Sequence, residues 1–357
     1  MHNAIILRWL RIFGFSQFVK NITETTMSVN PESQETAGPA AELAFFNVRV
    51  ARKQELAGGI YLFELRHPDG SDLPAFTAGA HLTVQVPAGV RRNYSLSSSP
   101  LDSDSYQIAV KRDASGRGGS ISMADDVNEG CLLSISAPRN NFELHPRAEK
   151  FLFVAGGIGI TPVLSMMRYL KAKGNDDFKL IYCTRDAAST AFLPELTGPE
   201  FNHHVQVHHD HGNIDNALDF WPVFETPTKA HVYCCGPKGL MESVADMSGH
   251  WPSGSVHFES FGVDVSAYAA NTAFTVKLQK TGTTLGVAAD QTILEALRAA
   301  GLRVPSSCES GTCGSCRTHL LAGEVEHRDM VLSDKEKESN IMVCVSRAKS
   351  PELVLDL

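Results

Sequence analysis

The sequence predicts a multidomain chain: an antiparallel β-barrel, then an α/β domain on a parallel sheet, then a small cysteine-bearing domain at the C-terminus. Three observations predict it. Between residues 44 and 142, short strand-like runs at 44–50, 60–65, 81–86, 93–97, 106–111 and 132–136 are split by turn residues. Many short strands at that spacing fold into a barrel or sandwich. Around Phe151 the texture changes to strand, glycine turn, helix and strand, at 151–155, 162–173, 179–184 and 232–235, the alternation of a parallel sheet with crossover helices. From Asn271 onward a strand, a hairpin, a helix and a cysteine loop follow. The boundaries read as an extension over 1–42, the barrel over 43–147, the α/β domain over 148–262, a linker over 263–270 and the C-terminal domain over 271–357.

A chain of 357 residues, 43% hydrophobic and 20% charged, has material for several packed cores. Its net charge of -8, with no Lys/Arg cluster interleaved with aromatics, argues against nucleic acid as a partner. Cys308, Cys313, Cys316 and Cys344 crowd the C-terminal end, whereas Cys131, Cys183, Cys234 and Cys235 are scattered. That usage suggests metal ligation in a reducing, cytoplasmic compartment rather than a disulfide framework. Near the N-terminus, Arg8 and Arg11 interrupt the apolar series Ile5, Ile6, Leu7, Trp9, Leu10, Ile12 and Phe13, so no run there is long enough for integral membrane insertion. The segment reads either as a surface-lying helix or transit-like leader, or as a dispensable extension before the Ser/Pro/Glu/Thr-rich stretch at 27–40.

In the C-terminal domain, 292–300 reads as a helix with Ile293, Leu294 and Leu297 on one side and Gly301 as its stop. Ser333 and Glu336 make a capping box for a second short helix. Cys308, Cys313 and Cys316 follow the order C-x4-C-x2-C, with Cys344 on an expected strand at 341–345. This is plant-type two-iron, two-sulfur spacing. Gly311 and Gly314, among the small residues Ser310, Thr312 and Ser315, let backbone amides approach the inorganic sulfides. A four-cysteine zinc site usually has two C-x2-C pairs, and here there is one.

At these residues the chain resembles the phthalate dioxygenase reductase family, with its C-terminal, β-grasp-like ferredoxin domain. The tail from Leu332, with Cys344-Val345-Ser346-Arg347 and the closing Leu355-Asp356-Leu357, is similar as well, and the likeness extends from about residue 43. The family implies a flavin in the barrel. Arg92-Asn93-Tyr94-Ser95 fits its R-x-Y-S pattern: Arg92 can pair a phosphate bidentately, Tyr94 offers a ring and hydroxyl, and Ser95 can hydrogen bond near the flavin N5. Arg117, Gly118, Gly119 and Ser120 open an expected helix whose N-H groups would hold the phosphate. Resemblance rather than residue chemistry implies FMN instead of FAD, and places Ala109, Val110 and Lys111 along the isoalloxazine.

In the α/β domain, Gly157, Gly159, Thr161 and Pro162 lie in a glycine turn between an apolar strand and a helix with Val163, Met167 and Leu170 on one face. The glycines permit close approach of a pyrophosphate, and Thr161 can donate a hydroxyl beside it. Cys235, Gly236 and Pro237 match the family's second nucleotide motif, which implies that Cys235 flanks the nicotinamide. Thr184 and Arg185 would approach the adenosine ribose; Arg185 could touch a 2'-phosphate, which Asp186 would oppose, and the resemblance implies NADH. The family places an aromatic near the flavin at the end of this domain, which here is Phe261. The histidines at 203, 204, 208, 209 and 211 alternate with Val205 and Val207 and read as a polar strand end rather than a metal site.

The resemblance therefore implies an NADH-dependent reductase, a monomer carrying FMN and a 2Fe-2S cluster, with Ser95 and Cys235 at the reacting centre. Single electrons would pass to a Rieske-type oxygenase or demethylase acting on an aromatic acid. A cytochrome P450 client, or a redox-sensing partner without sustained turnover, are the alternatives.

Overall fold

The computed structural model describes residues 44–114, 118–261, 271–306 and 308–357. The expected extension at 1–42, the linker at 263–270 and the expected phosphate ligand Arg117 lie outside the described residues. Among described residues no helix is long and apolar enough to cross a membrane.

The first domain is a six-stranded antiparallel sheet built from β1 (Phe45–Ala57), β2 (Ile60–Arg66), β3 (His81–Gln85), β4 (Arg91–Ser95), β5 (Tyr106–Lys111) and β6 (Leu132–Ser136), in the order β4-β3-β6-β1-β2-β5. Alternation explains the strands: Val48, Val50, Phe63, Leu65, Leu82, Val84, Ile108 and Ile135 all turn into one core. A bridge between Leu96 and Ile108 joins the two edge strands and closes the barrel. The short helix α1 (Gly119–Asp126) follows β5. Lys53 places its ammonium on the carbonyls of Ala124 and Val127 at the helix C-terminus (2.6 and 2.7 Å), where the macrodipole favours a cation. Arg112 forks onto Asp125 and ties the same helix to the end of β5.

The second domain carries β7 (Phe151–Gly156), α2 (Ile160–Ala172), β8 (Phe178–Thr184), α3 (Leu193–Leu196), β9 (Val205–His209), α4 (Trp221–Phe224), β10 (His231–Cys235), α5 (Lys238–Ser248) and β11 (Val256–Glu259). Its parallel sheet has the order β11-β10-β7-β8-β9. The chain winds from β7 to β8 and β9 on one side and returns to β10 and β11 on the other. The crevice between the ends of β7 and β10 is thus the topological switch point, where open α/β sheets take ligands. Ile60, Leu62, Ala78 and Ala109 of the barrel share one core with Phe151, Phe153, Met166, Tyr182 and Cys235.

The third domain holds β12 (Phe274–Leu278), β13 (Thr284–Val287), α6 (Ile293–Ala299), β14 (Arg317–Ala322), β15 (Val325–Glu326), α7 (Asp334–Lys337), β16 (Asn340–Met342), β17 (Arg347–Ala348) and β18 (Glu352–Leu355). Its main sheet runs β13-β12-β18-β14-β16. The capping box at Ser333 and Glu336 forms as expected, and α6 has a second one between Thr292 and Glu295. Cys344, expected on a strand, instead lies in a turn after β16, whose ladder with β14 ends at Met342. The thiol consequently points from a loop, which lets it face the other cysteines. Arg347 is 4% exposed, donates to the carbonyls of Gln291, Thr272 and Ala288, and lies over the Phe274 ring. Replacing it by Met removes three hydrogen bonds from a buried guanidinium to part-buried carbonyls, and bonds from a charged group contribute about 1.5–3 kcal/mol each at most. Urea unfolding of Arg347→Met should show a loss of about 3 kcal/mol; parental stability would contradict this account of the domain.

Candidate active site

Beyond the Leu96–Ile108 bridge the barrel does not continue its ladder. β4 pairs with β3 and β5 pairs with β2, so the next residues, Ser95 and Tyr94 on one edge and Ala109, Val110 and Lys111 on the other, border a cleft. Ala109 turns toward the core shared with the nucleotide domain. Val110 turns into the barrel core, so it can offer a ligand only its backbone. Lys111 is exposed. The Tyr94 hydroxyl is buried and finds no hydrogen-bond partner among the described residues; burial pushes its pKa up to about 12. The Tyr94 ring packs on the barrel core, and a water or a ligand group reaching the hydroxyl would satisfy it.

Arg92 and the first turn of α1, separated in sequence, come together. A Cβ on Gly119 would stand 2.7 Å from the Arg92 Nε, so only glycine lets the guanidinium lie across the helix start. Gly118 precedes it in the left-handed conformation, φ 81°, and the Ser120 hydroxyl accepts from the Asp113 N-H at 3.2 Å. The local pairing of a cation with a helix N-terminus suits a phosphate.

At the switch point the two nucleotide-type turns touch. A Cβ on Gly159 would fall 2.1 Å from the Cys235 carbonyl oxygen, and one on Gly236 2.9 Å from the Gly156 nitrogen. Buried Tyr182 donates its hydroxyl to the Gly157 carbonyl at 3.0 Å and pins the turn, a role no local pattern announces. Thr161 is buried, and its hydroxyl donates back to the Ile158 carbonyl at 3.1 Å. Pro162 is buried in the first turn of α2. Pro237 precedes α5, its ring packed where a Gly156 Cβ would be.

Thr184 is buried and exchanges hydrogen bonds with Thr190 (2.7 Å) and the His209 Nδ1 (2.9 Å). The next two residues, Arg185 and Asp186, are exposed at the end of β8. Asp186 caps the following 3-10 turn through the Ser189 N-H, and those hydrogen bonds hold its carboxyl below the usual range. In the histidine-rich stretch, His208 bonds the Asn216 carbonyl and His204 the Phe178 carbonyl, as side chains of an ordinary strand would.

Ser95, Cys235 and a residue the sequence reading missed, Glu259, meet where a barrel strand and two strands of the parallel sheet converge. Glu259 lies beside Cys235 in the sheet register. Burial first, and the nearby Cys308 second, raise its carboxyl pKa to about 8, against an opposing hydrogen bond from Ser95. One carboxyl oxygen, Oε2, is buried without a partner among the described residues. Cys235 is fully buried, and burial followed by the Glu259 charge drives its thiol pKa upward. Phe261 follows β11 and is 46% exposed, so its ring is not packed into this convergence.

The four C-terminal cysteines form two pairs. Cys308 and Cys313 hydrogen bond each other, as do Cys316 and Cys344. The Ser310 N-H points at the Cys308 sulfur and the Cys308 N-H at the Cys313 sulfur, both at 3.4 Å. The Cys313 partner, and then the Ser310 and Thr312 N-H groups against burial, hold the Cys308 pKa well down. Among the described residues no three His, Cys, Asp or Glu groups converge where one metal ion could sit. Two facing pairs of thiols with amides aimed at sulfur fit a two-iron centre better than a single zinc. The loop reaches both other domains: Ser310 donates to the Ser260 carbonyl at 3.0 Å, Met330 packs on the nucleotide-domain core, and the Cys308 charge acts on Glu259 of β11 and, against a net lowering by burial and Arg139, on His81 of β3.

Known proteins share this arrangement. Residues 276–349 match the 2Fe-2S iron-sulfur cluster binding domain and residues 153–246 the oxidoreductase NAD-binding domain. The phthalate 4,5-dioxygenase oxygenase reductase subunit of Pseudomonas putida is 60% identical over 314 residues, covering 88% of this chain and 97% of its own. The solved structure of a phthalate dioxygenase reductase, described as modular for electron transfer from pyridine nucleotides to [2Fe-2S], superposes with a TM-score of 0.68 at 57% identity, covering 88% of this chain and 98% of that one. A type IV self-sufficient cytochrome P450 monooxygenase contains a region like it, with a TM-score of 0.65 at 38% identity, covering 87% of this chain and 41% of that one. With a barrel, a parallel-sheet nucleotide domain and a cluster domain in the same order, the chain belongs to the phthalate dioxygenase reductase family.

Proposed function

We propose that this oxidoreductase, the reductase component of an aromatic oxygenase system, holds FMN between β4 and β5, binds NADH at the β7/β10 crevice, and delivers electrons through Cys308, Cys313, Cys316 and Cys344 to a Rieske-type oxygenase. The observation that carries this reading is that Cys235 and Glu259 lie side by side at the ends of β10 and β11, Ser95 of the barrel hydrogen bonds Glu259, and the thiol loop docks next to them through Ser310 on the Ser260 carbonyl. When bound, the flavin accepts a hydride from NADH and the cluster passes electrons on one at a time.

The chain's own residues bind, orient and exclude water. Arg92, with Gly118, Gly119 and Ser120, holds the flavin phosphate; Arg117 adds a second cation there. Tyr94 gives its orphan hydroxyl, and Ala109, Val110 and Lys111 line the ring, Val110 through its backbone. Gly157, Gly159, Thr161 and Pro162 shape the pyrophosphate turn opposite Gly236 and Pro237, while Thr184 and Arg185 border the adenosine ribose. Ser95 and the neutral thiol of Cys235 flank the reacting atoms, and Phe261, half exposed just after β11, is the aromatic available to cover a bound flavin. With a neutral thiol and a carboxyl that burial keeps largely protonated near pH 7, the pocket presents little fixed charge to the nicotinamide. Plant-type clusters lie at about -400 mV and Rieske centres between roughly -150 and +300 mV, so the final delivery is downhill.

Two experiments test this reading. A chain ending at Ala270 should retain FMN, identified by mass after extraction, and should reduce ferricyanide with NADH, yet lose cytochrome c reduction and coupling to the oxygenase. Oxygenase turnover by the shortened chain would show that the flavin delivers electrons without the cysteine domain. In Gly159→Ala the new methyl meets the Cys235 carbonyl, a backbone group, and overpacking of this kind costs about 1–3 kcal/mol. The Kd for NADH should rise about tenfold or more while flavin content stays at the parental level. Unchanged NADH affinity would remove the glycine turn from the nucleotide site.

A further inference from the structure

Arg168, on the third turn of α2, ties the nucleotide domain to the closing seam of the barrel. Its Nε and Nη2 fork onto the Glu195 carboxylate at 2.8 and 2.7 Å. That bidentate pair, within the nucleotide domain, sets the plane of the guanidinium. The remaining nitrogen, Nη1, crosses to the barrel and donates to the Ser97 carbonyl at 2.8 Å and to the Gln107 Oε1 at 3.0 Å. One turn earlier on the same helix face, the Ser165 hydroxyl donates to the Ser98 carbonyl at 2.8 Å. The acceptors lie where the two edge strands are joined: Ser97 donates its N-H to the Gln107 carbonyl at 2.8 Å, beside the Leu96–Ile108 bridge.

The position of these contacts gives them a functional meaning. Two residues before Ser97 is Ser95, and two after Gln107 is Ala109, the first members of the two cleft edges. At its other end α2 begins directly after the glycine turn Gly157–Gly159. One side chain therefore connects the element that would carry the nicotinamide to both strands that would carry the flavin. We infer that Arg168 is a positioning residue for hydride transfer, fixing the separation of the nicotinamide and flavin by holding α2 against the barrel seam. A lysine cannot replace it, because a single ammonium cannot fork onto Glu195 and also span to Ser97 and Gln107.

The inference rests on the sites assigned under the proposed function. The step concerned breaks the C4–H bond of NADH and moves its hydride, one proton with two electrons, to the flavin, leaving NAD+. Its rate depends steeply on geometry, and a misplacement of about 1 Å can cost on the order of a hundredfold.

The full flavin- and cluster-loaded chain is compared with Arg168→Ala, Arg168→Lys and Gln107→Leu by anaerobic stopped-flow absorbance. At saturating NADH the limiting rate of flavin reduction should fall about tenfold to a hundredfold in Arg168→Ala, with partial recovery in Arg168→Lys and a smaller fall in Gln107→Leu. The Kd for NADH should change little, since Arg168 touches no nucleotide-binding residue. The long-wavelength absorption of stacked nicotinamide and flavin should weaken in the same order, and hydrogen exchange should quicken over residues 96–108. Should Arg168→Ala fail to load flavin, Gln107→Leu decides the matter alone. A loaded variant with the parental limiting rate, absorption band and exchange overturns the inference. A parent chain that NADH does not reduce overturns the functional reading and this inference with it.

Discussion

The structure depends on the parting of two strands. β4 and β5 meet at the Leu96–Ile108 bridge and then diverge, which leaves two strand edges whose backbone groups have no neighbouring strand. An exposed edge is a liability that proteins pair, cover or occupy. Here Tyr94, on one of those edges and packed on the barrel core, has a buried hydroxyl without a partner among the described residues, and Arg92, two residues before it, lies over a helix start. The surrounding devices preserve that opening: Lys53 and Arg112 anchor α1 from its far end, and the core shared with the nucleotide domain backs the strand that carries Ala109.

Electrostatics at the convergence follow from the same crowding. Ser95, Cys235 and Glu259 are buried because a barrel strand and two parallel strands end at one place. Burial favours the uncharged form of both the thiol and the carboxyl, and Cys308 acts on Glu259 in the same direction. Ser310, two residues from Cys308, donates to the Ser260 carbonyl next to Glu259, so the thiol loop is anchored beside this convergence.

Much of this was legible in the sequence because the relevant signals are local. The strands at 106–111 and 132–136 occur with the bounds that alternation indicates, and the spacing of Cys308, Cys313 and Cys316 describes a loop chemistry that needs no tertiary information. What escaped was tertiary. Glu259 lies within Phe258-Glu259-Ser260-Phe261, where the aromatics draw attention, and its burial depends on strands far apart in sequence. Tyr182 is the hydrogen-bond donor that pins Gly157, a contact made across the sheet that no local pattern announces. The bond from the Thr161 hydroxyl to the Ile158 carbonyl forms within the turn, a local side-chain to backbone contact of the kind threonine commonly makes. Cys344 was assigned to a strand from its apolar neighbours Ile341, Met342, Val343 and Val345, whereas the ladder ends at Met342 because the thiol must turn toward Cys316.

The central claim is that one continuous route joins the nucleotide crevice to the cysteine loop. Rapid-freeze electron paramagnetic resonance of the anaerobic chain, mixed with NADH and sampled through the first turnover, tests it most directly. The claim predicts the signal of one reduced two-iron cluster per chain, appearing after the flavin bleaches and without any added mediator. A cluster that dithionite reduces but NADH leaves silent would contradict it.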